Sequence, residues 1–336
     1  MSGSFVNLSI GLIGAGGITQ VHIPAWLALG ARVTVFSLEG SAAAAAHYDV
    51  AVAQSLDELL ENCDVVDICT PTPTHRRLAE RALRAGKHVI CEKPIALNTA
   101  DADALAELAA AVDRQLHPAH VVRYFAEYAR AQEAVAAGQI GEPAILRFSR
   151  IGEFPTWSPW FADEAQSGGI VMDQMIHDLD IARWIAGEVN EVYAVKSSGL
   201  SADGSACDTA QVVLTHESGA LSYVTGVWGA PGTTFATSFS IAGSRGVLTH
   251  DSRTDSSLQF DLGVPPEGAN SARPDTSLGE SPYLTELRDF AVSIDGGPPP
   301  RVSLNDAVHA VELAAAANAS IASGQSVPVL RRAVSE

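Results

Sequence analysis

The chain has 336 residues, a length that suggests two domains rather than one. Of these residues 47% are hydrophobic and 18% charged, a composition typical of a globular protein and not of a disordered one. Its formal net charge of -18 at pH 7 would repel nucleic acid and anionic membranes, so neither is expected as a partner. No apolar run approaches the ~18 residues that span a bilayer, and the N-terminus has no basic stretch or cleavage site of a signal peptide. We therefore expect a cytoplasmic protein.

The first third of the chain alternates short apolar runs with helical patterns. Strands are predicted within 8–16, 31–37, 64–70, 87–94 and 117–122, and helices over 18–30, 41–48, 75–86 and 98–112. Strands that are apolar on both faces, with helices between them, imply a parallel sheet that is covered on both sides. We predict a doubly wound α/β nucleotide-binding domain over residues 1–122.

The pattern changes after Tyr124. Helices are predicted at 126–137, from near Gly169, and at 283–294 and 304–323, with an aromatic-rich loop at 154–161 and a Gly/Pro/Ser-rich loop at 263–282. Most of the stretch from 189 to 260 has the alternation and spacing of β-hairpins. We predict a second, α+β domain with a large, mostly antiparallel sheet over residues 123–336.

A Gly-rich turn, GAGGIT, lies between the first strand and the first helix. Gly14 permits a tight turn, Gly16 lets the backbone approach a pyrophosphate, and the helix N-terminus offers N–H groups to phosphates. Thr19 stands where the third glycine of the dinucleotide-binding pattern is usual. The strand–turn–helix context still favours a dinucleotide site, which we assign to Gly14, Gly16, Gly17 and Ile18.

The end of the second strand bears on the choice of cofactor. Ser37 occupies the position where an acidic residue usually binds the ribose hydroxyls. No Lys or Arg occurs between Val33 and Ala53, so a 2′-phosphate would face Glu39 without a cation. We therefore predict NAD rather than NADP, with Ser37 and Glu39 near the adenosine ribose and Leu38 as a further cofactor contact.

Two polar segments, CTPTPTH and CEKP, each follow a predicted parallel strand. Ligands of such sheets bind beyond the carboxyl ends of the strands, so both segments are expected at the cofactor crevice. Lys93, directly before Pro94, places a cation where chemistry would occur. The predicted cofactor contacts in these segments are Thr70, Pro71, His75, Glu92 and Lys93.

Asp173 and His177 lie four residues apart in SGGIVMDQMIHDLD, so they share one face of a predicted helix. A carboxylate can orient an imidazole and support its protonated form, as a general base requires. A purely structural His–Asp pair is an open alternative. We predict no metal, because the segment supplies too few ligands and the four cysteines lack metal-ligand spacing.

In this order, the motifs resemble those of the glucose–fructose oxidoreductase / inositol dehydrogenase (Gfo/Idh/MocA) family of NAD(P)-dependent oxidoreductases. The resemblance covers nearly the whole chain: the GAGG turn, TPTPTH, EKP, VRYFAEY, the GG…D…H helix, Y283…F290 and VSLNDAVHA. It implies an N-terminal Rossmann domain and a C-terminal domain whose open sheet faces the active site and often forms an oligomer interface. It also implies a catalytic set at Lys93, Asp173 and His177. Met175 stands where a Gly is common, a difference expected to affect the substrate pocket.

The resemblance implies an enzyme acting on CH–OH groups. We expect an NAD-dependent dehydrogenase that reversibly oxidises a secondary hydroxyl of a sugar, cyclitol, amino sugar or aminoglycoside to a ketone, in a homodimer or homotetramer built through the C-terminal sheet. The acidic balance makes a cationic substrate one hypothesis. Candidate substrate contacts are Arg123, Tyr124, Trp157 and Trp160, although the two tryptophans fit a core position equally well. Two other functions stay open: an NAD-dependent glycoside hydrolase working by oxidation and elimination, and a non-catalytic NAD(H)-binding regulator.

Overall fold

The structure, a computed structural model, describes residues 8–201, 204–254, 259–262 and 280–329. Within them the chain divides into two compact units. The first comprises the described residues 8–124 and 280–311, and the second the described residues between 125 and 262 and those over 312–329. Most of the loop predicted at 263–282 lies outside the described residues. No helix in the described ranges has both the length and the apolar character needed to cross a membrane.

A six-stranded parallel sheet forms the centre of the first unit. Its strands are β1 (Ser9–Ile13), β2 (Arg32–Phe36), β3 (Ala51–Val52), β4 (Val65–Ile68), β5 (His88–Glu92) and β6 (Leu116–Ala119). Their order in space is β3-β2-β1-β4-β5-β6, and every pairing is parallel. This order is that of a Rossmann sheet, which confirms the predicted doubly wound fold. Strands β1 and β4 are neighbours although far apart in sequence, and sheets of this order bind ligands beyond the carboxyl ends of such a pair.

An eight-stranded sheet forms the second unit. Its strands are β7 (Pro143–Glu153), β8 (Val189–Leu200), β9 (Ala206–His216), β10 (Leu221–Gly229), β11 (Ala236–Gly243), β12 (Gly246–Asp251), β13 (Gln259–Leu262) and β14 (Val327–Pro328). Their order is β13-β12-β11-β7-β10-β9-β8-β14, with all pairs antiparallel except β7 and β10. The predicted large, mostly antiparallel sheet is confirmed. Strand β7, which the sequence pattern did not predict, lies within it between β11 and β10.

Helices accompany both sheets. They are α1 (Thr19–Ala28), α2 (Ser41–Tyr48), α3 (Leu56–Glu61), α4 (His75–Arg84), α5 (Thr99–Ala111), α6 (Ala126–Ala136), α7 (Glu164–Ser167), α8 (Ile176–Ala186), α9 (Pro282–Ile294) and α10 (Leu304–Ser323). The predicted helices at 41–48, 75–86, 283–294 and 304–323 are confirmed to within two residues at each end. Helix α3 and the two-residue strand β3 were not predicted.

Helix α9 belongs to the first unit although it follows the large sheet in sequence. Leu287 and Phe290 of α9 are fully buried in one hydrophobic cluster with Ile10, Leu12 and Trp26. Each such side chain contributes roughly 1.5–3 kcal/mol when it leaves water. The first unit is therefore completed by a segment from the far end of the chain.

Candidate active site

The Gly-rich turn of the first unit requires glycine at its first position. Gly14 has φ +122°, and a Cβ placed on it would lie 2.5 Å from the carbonyl oxygen of Cys69. Its N–H donates to the carbonyl oxygen of Phe36, at 2.9 Å. Gly14 thus joins the turn to the ends of β2 and β4, and no other residue fits this position without displacing the backbone.

The next part of the turn leaves room for a ligand. A Cβ on Gly16 or on Gly17 would meet no protein atom within 4 Å. Thr19, which replaces the usual third glycine, is 2% exposed, and its hydroxyl donates to the carbonyl oxygen of Gly16 at 2.6 Å. The threonine therefore braces the turn from its buried side and leaves the open side clear for a pyrophosphate.

The loop after β2 lies against this turn. A Cβ on Gly40, whose φ is +81°, would be 3.1 Å from the Cβ of Ala15. The Ser37 carbonyl accepts a hydrogen bond from the Ser41 hydroxyl at 3.0 Å, and the side chain of Leu38 is 95% exposed. This surface offers an apolar side chain and hydroxyl groups but no cation, so it fits the adenosine of NAD better than a 2′-phosphate.

His75 joins the two polar segments that follow β4 and β5. Its Nδ1 lies 2.8 Å from the carbonyl oxygen of Pro94, and its Nε2 lies 2.7 Å from that of Thr70. Burial lowers the pKa of His75, and the two carbonyl contacts offset this only in part. The imidazole lies between TPTPTH and EKP and contacts both, while its predicted contact with the cofactor stays a prediction. The peptide bond between Lys93 and Pro94 is cis.

A buried polar cluster adjoins the EKP segment, and the sequence analysis did not identify it. His22 of α1 lies between Asp67 of β4, 2.9 Å from Nδ1, and Glu92 of β5, 3.1 Å from Nε2. Trp26 donates to Asp67 at 2.7 Å, and the Cys69 sulfur lies 3.5 Å from both His22 and Asp67. The only indication in the sequence is one histidine and one aspartate inside otherwise apolar elements.

The donor atoms of His22, Asp67 and Cys69 are close enough to share a metal ion, since they all lie within 4.8 Å of one another. The same atoms already form hydrogen bonds with each other, and burial raises the pKa of the Cys69 thiol far above its usual range. A zinc site would require the thiolate. We therefore describe the cluster as a hydrogen-bond network.

Asp173 and His177 lie where the helix of the second unit is irregular. Val171–Met175 forms a π-helical turn that continues directly into α8. Along residues 171–180, Asp173 and His177 are partly exposed and every other residue is buried. Both residues are therefore more exposed than their neighbours along this segment, and their sharing of one face stays a prediction. π-Helical turns are frequent at functional sites.

The neighbours of this pair anchor the helix to the sheet. Asp178 accepts two hydrogen bonds from the Arg150 guanidinium, at 2.9 and 3.0 Å, and the ion pair is buried. The Gln174 side chain donates to the Arg150 carbonyl at 2.6 Å. Because Gln174 and Asp178 each follow a member of the pair by one residue, these bonds fix the direction in which Asp173 and His177 project.

Met175 packs on a glycine of the sheet. Its side chain is fully buried, and a Cβ on Gly226 of β10 would lie 2.4 Å from its Cγ. A Cβ on Gly226 would also lie 3.4 Å from Ile170. Met175 therefore occupies volume that Gly226 leaves free within the second unit, while the effect predicted for it on the substrate pocket stays a prediction.

Arg123 and Tyr124 are buried at the end of the first unit's N-terminal segment. Arg123 is 1% exposed and donates to the carboxylate of Asp306 at 3.1 Å. The Tyr124 hydroxyl donates to Asp289 at 2.7 Å, and burial raises the pKa of Tyr124 far above its usual range. These contacts tie the segment after β6 to α9 and to the start of α10. The substrate contacts predicted for both residues remain predictions.

The aromatic loop after β7 has one exposed tryptophan and two aromatic side chains that pack on each other. Trp157 is 74% exposed, so it is not a core residue. Trp160 stacks on Phe161 with ring centroids 4.0 Å apart, and Trp157 meets the same phenyl ring edge-on at 5.3 Å. The loop thus presents one large aromatic side chain to solvent, supported by two others.

A glycine-rich turn between the first strand and the first helix of a Rossmann sheet is the arrangement of a dinucleotide-binding oxidoreductase. The first unit matches the oxidoreductase family with an NAD-binding Rossmann fold over residues 8–120, and the second matches the Gfo/Idh/MocA C-terminal domain over residues 128–249. The chain belongs to the Gfo/Idh/MocA family of oxidoreductases. As a member of this family, it is an oxidoreductase with an NAD-binding Rossmann fold.

Three relatives place the chain within this family. Myo-inositol 2-dehydrogenase of Thermotoga maritima is 34% identical over 280 residues, which cover 80% of this chain and 81% of the relative. Inositol 2-dehydrogenase of Rhizobium meliloti is 28% identical over 96% of this chain and 100% of its own length. The solved structure of GenD2 from gentamicin A biosynthesis, in complex with NAD, is 26% identical, covers 97% of both chains and superposes with a TM-score of 0.83.

Proposed function

We propose that this enzyme oxidises a secondary hydroxyl of a sugar, cyclitol, amino sugar or aminoglycoside to the ketone, reversibly and with NAD. Relatives named for inositol support a ring alcohol. A relative named UDP-N-acetylglucosamine 3-dehydrogenase, 31% identical over 64% of this chain, and the neighbour GenD2 extend the candidates to amino-substituted rings. The particular substrate is to be found within this class.

The partly exposed Asp173 and His177 pair carries the proposal. The Nδ1 atom of His177 is buried, so Nε2 is the nitrogen that we assign to the substrate. His177 takes the hydroxyl proton while the hydrogen on the same carbon leaves with its electron pair, which converts the C–O single bond to a carbonyl. Proton transfer of this kind is worth roughly 10²–10⁴-fold in rate.

Lys93 and Asp173 have supporting roles in this proposal. The Lys93 ammonium donates a hydrogen bond to the reacting oxygen and stabilises the alkoxide character that develops there. Asp173 orients the substrate hydroxyl or the imidazole. NAD, when bound along the Gly14–Ile18 turn, supplies the hydride acceptor.

The test is a screen for NADH formation, followed at 340 nm, across neutral polyols, cyclitols and amino sugars, with NAD and NADP side by side. We expect turnover on a ring alcohol and a preference for NAD. Release of aglycone from an aryl glycoside without net NADH would instead support the hydrolase. Measurable NAD binding without turnover on any substrate would support the regulator.

Two variants then test the roles that we assign to His177 and Lys93. His177→Asn and Lys93→Met should each lower kcat by about 10²-fold or more, with NAD affinity nearly unchanged. Lys87→Met is the matched control, because Lys87 precedes the same strand β5 at its other end and donates to the Cys63 carbonyl at 2.8 Å. Full turnover in either of the first two variants would contradict the assignment.

We also propose a cytoplasmic homodimer or homotetramer that associates through the large sheet. On strand β8 the side chains of Tyr193 and Val195 are 43% and 48% exposed, whereas Val192 and Ala194 on the other face are buried. An outward face with such apolar groups favours association. Light scattering should give a mass of two or four times 35.1 kDa, and a mass of one chain would contradict the proposal.

A further inference from the structure

His22 is buried between two carboxylates and contacts one with each ring nitrogen. Its relative exposure is 0%, and the distances are 2.9 Å from Nδ1 to Asp67 and 3.1 Å from Nε2 to Glu92. The carboxylates come from β4 and β5, the histidine from α1. An ionised carboxylate accepts hydrogen bonds and cannot donate them.

A count of protons follows from this geometry. Neutral imidazole has one N–H, so it could donate to one carboxylate while its second nitrogen directed a lone pair at the other. Two hydrogen bonds therefore require a proton on both nitrogens or a proton on one carboxyl group. Asp67 also accepts a hydrogen bond from the Trp26 indole at 2.7 Å, which favours its ionised form. The arrangement fits an imidazolium between two carboxylates.

The cluster continues to Lys93 through Glu92. While Oε1 of Glu92 faces His22, its Oε2 accepts the backbone N–H of Lys93 at 3.1 Å. Both oxygens of this carboxylate are thereby held. On the other side of Lys93, the Pro94 carbonyl is held by His75. The backbone that carries the Lys93 ammonium is fixed before and after the residue.

We propose that His22 is a positioning residue for Lys93: as an imidazolium, it locks the Glu92 carboxylate, and that carboxylate locks the Lys93 backbone. The proposal rests on the proposed role of Lys93 in hydride transfer. His22 acts through Glu92 and has no direct role toward the substrate.

The groups around His22 determine its charge. Burial is the largest single influence and lowers the pKa of His22, but the Asp67 carboxylate and the Cys69 sulfur, 3.5 Å from Nδ1, together outweigh it and leave the pKa well above the usual 6.5. Helix α9 contributes Tyr283, whose ring centroid is 6.2 Å from that of His22, and the fully buried Glu286. Within the described ranges neither Glu286 oxygen has a hydrogen-bond partner, and burial raises its pKa well above the usual value. Burial thus favours the neutral form of Glu286 and disfavours a third negative charge beside His22.

The raised pKa of His22 determines the direction in which its contribution to stability changes with pH. Because the folded-state pKa of His22 is raised, its contribution to stability is complete below pH 6.5 and is lost as the pH rises through the folded-state value. The order of the Lys93 backbone should weaken over the same alkaline range.

The direct test is nitrogen NMR of the full-length protein labelled with ¹⁵N-histidine, with the His22 resonances assigned by their absence in His22→Gln. We expect both ring nitrogens of His22 to be protonated at pH 8, whereas the buried His117 gives a neutral imidazole in the same spectrum. Glu92→Gln should shift the His22 titration to lower pH by about one unit or more. A neutral His22 at pH 8, or a His22 titration that Glu92→Gln leaves unchanged, would overturn the proposed imidazolium bridge between Asp67 and Glu92.

The kinetic test uses His22→Gln, with His117→Gln as the matched control from the same unit. We expect His22→Gln to lower kcat about tenfold or more, to change the KM for NAD less than twofold, and to flatten the alkaline limb of the pH profile. The control should retain kcat and that limb. Thermal melts of both variants identify any loss of fold. If a variant does not fold, the NMR result for the wild-type protein decides whether His22 is an imidazolium between Asp67 and Glu92. An imidazolium at His22 together with unchanged kcat in His22→Gln would refute the positioning role and leave the proposed function intact.

Discussion

Two buried histidines of the first unit have pKa values shifted in opposite directions because their neighbours differ. His22 faces two carboxylates, whereas Nε2 of His117 donates to the neutral side-chain carbonyl of Gln115 at 2.7 Å. The His117 ring stacks on Phe290 with centroids 4.9 Å apart. Burial, with a smaller contribution from His88, lowers the pKa of His117 to about 4. Burial alone therefore does not decide the charge of a histidine in this core.

This difference predicts how acid destabilises the protein. Between pH 6.5 and about 4 the unfolded chain protonates His117 while the folded chain does not, so stability falls as the pH falls. The loss attributable to this residue is about 3 kcal/mol by pH 4. Urea unfolding at pH 7 and pH 4.5 should show a smaller pH-dependent loss in His117→Gln than in the wild type. An equal loss in both proteins would contradict the assignment.

The turn glycines separate the requirements of the fold from those of the cofactor. Gly14→Ala should lower the free energy of unfolding, because φ is +122° and the new Cβ would collide with the Cys69 carbonyl. Gly16→Ala should leave the melting temperature nearly unchanged, because its Cβ meets no protein atom within 4 Å. It should nevertheless weaken NAD binding by about tenfold or more, since the methyl group occupies the place of the pyrophosphate.

Calorimetric titration with NAD and thermal melts of the two variants check this pair. Gly17→Ala is a second variant of the same kind as Gly16→Ala, because its Cβ also meets open space. Unchanged NAD affinity in both Gly16→Ala and Gly17→Ala would mean that the cofactor does not lie over this turn.

At the scale of elements, the π-helical turn depends on its complementarity with β10. Gly226→Ala would bring a Cβ to 2.4 Å from Cγ and 2.6 Å from Sδ of Met175. Because Met175 is fully buried, it can move only by displacing its neighbours, and overpacking of this kind costs typically 1–3 kcal/mol. We expect Gly226→Ala to lower both stability and kcat, since the same turn carries Asp173.

The double variant Met175→Ala/Gly226→Ala provides the control. If the contact between the two positions causes the loss, the double variant should recover part of the stability, and a double-mutant cycle by urea unfolding would show coupling. Additive losses would show that each side chain acts independently.

Helices and strands could be predicted where the local sequence pattern agrees with the long-range packing, and could not where the two differ. Helix α3 had a local indication, because the Ser55 hydroxyl accepts the Glu58 N–H at 3.1 Å and the Glu58 carboxylate accepts the Gln54 N–H. Such a pattern is close to a capping box, but the helix is only six residues long. Strand β7 was hidden because one of its inward positions is Arg150, whose burial depends on Asp178, 28 residues later.

The candidate site shows the same difference between local and long-range contacts. The spacing of Asp173 and His177 is local, so one helix face could be predicted from it even though a π-helical turn intervenes. The bridge at His22 joins residues 45 and 70 positions apart in sequence. No local pattern encodes such a contact, since it exists only after β4 and β5 are placed side by side.

At the scale of the whole molecule, the order of segments in the sequence is not the order of the compact units. The Rossmann sheet could be predicted from its alternating pattern, but the return of residues 280–311 to the first unit could not. Helix α9 has an ordinary amphipathic pattern, and only the burial of Leu287 and Phe290 against Trp26 shows where it belongs. Long-range packing of this kind is specified by shape rather than by periodicity.

The net charge of -18 belongs to the whole molecule and leads to a test of substrate class. A negative field concentrates cations near the protein and raises their association rate, and added salt screens it. If the substrate is an amino sugar steered by this field, kcat/KM should fall steeply between about 20 and 300 mM salt, where the Debye length shortens from roughly 20 to 6 Å. A neutral cyclitol, measured at subsaturating concentration in the same buffers, should show little change. Equal salt dependence for the charged and the neutral substrate would exclude steering, and the acidic surface would then have no part in selecting the substrate.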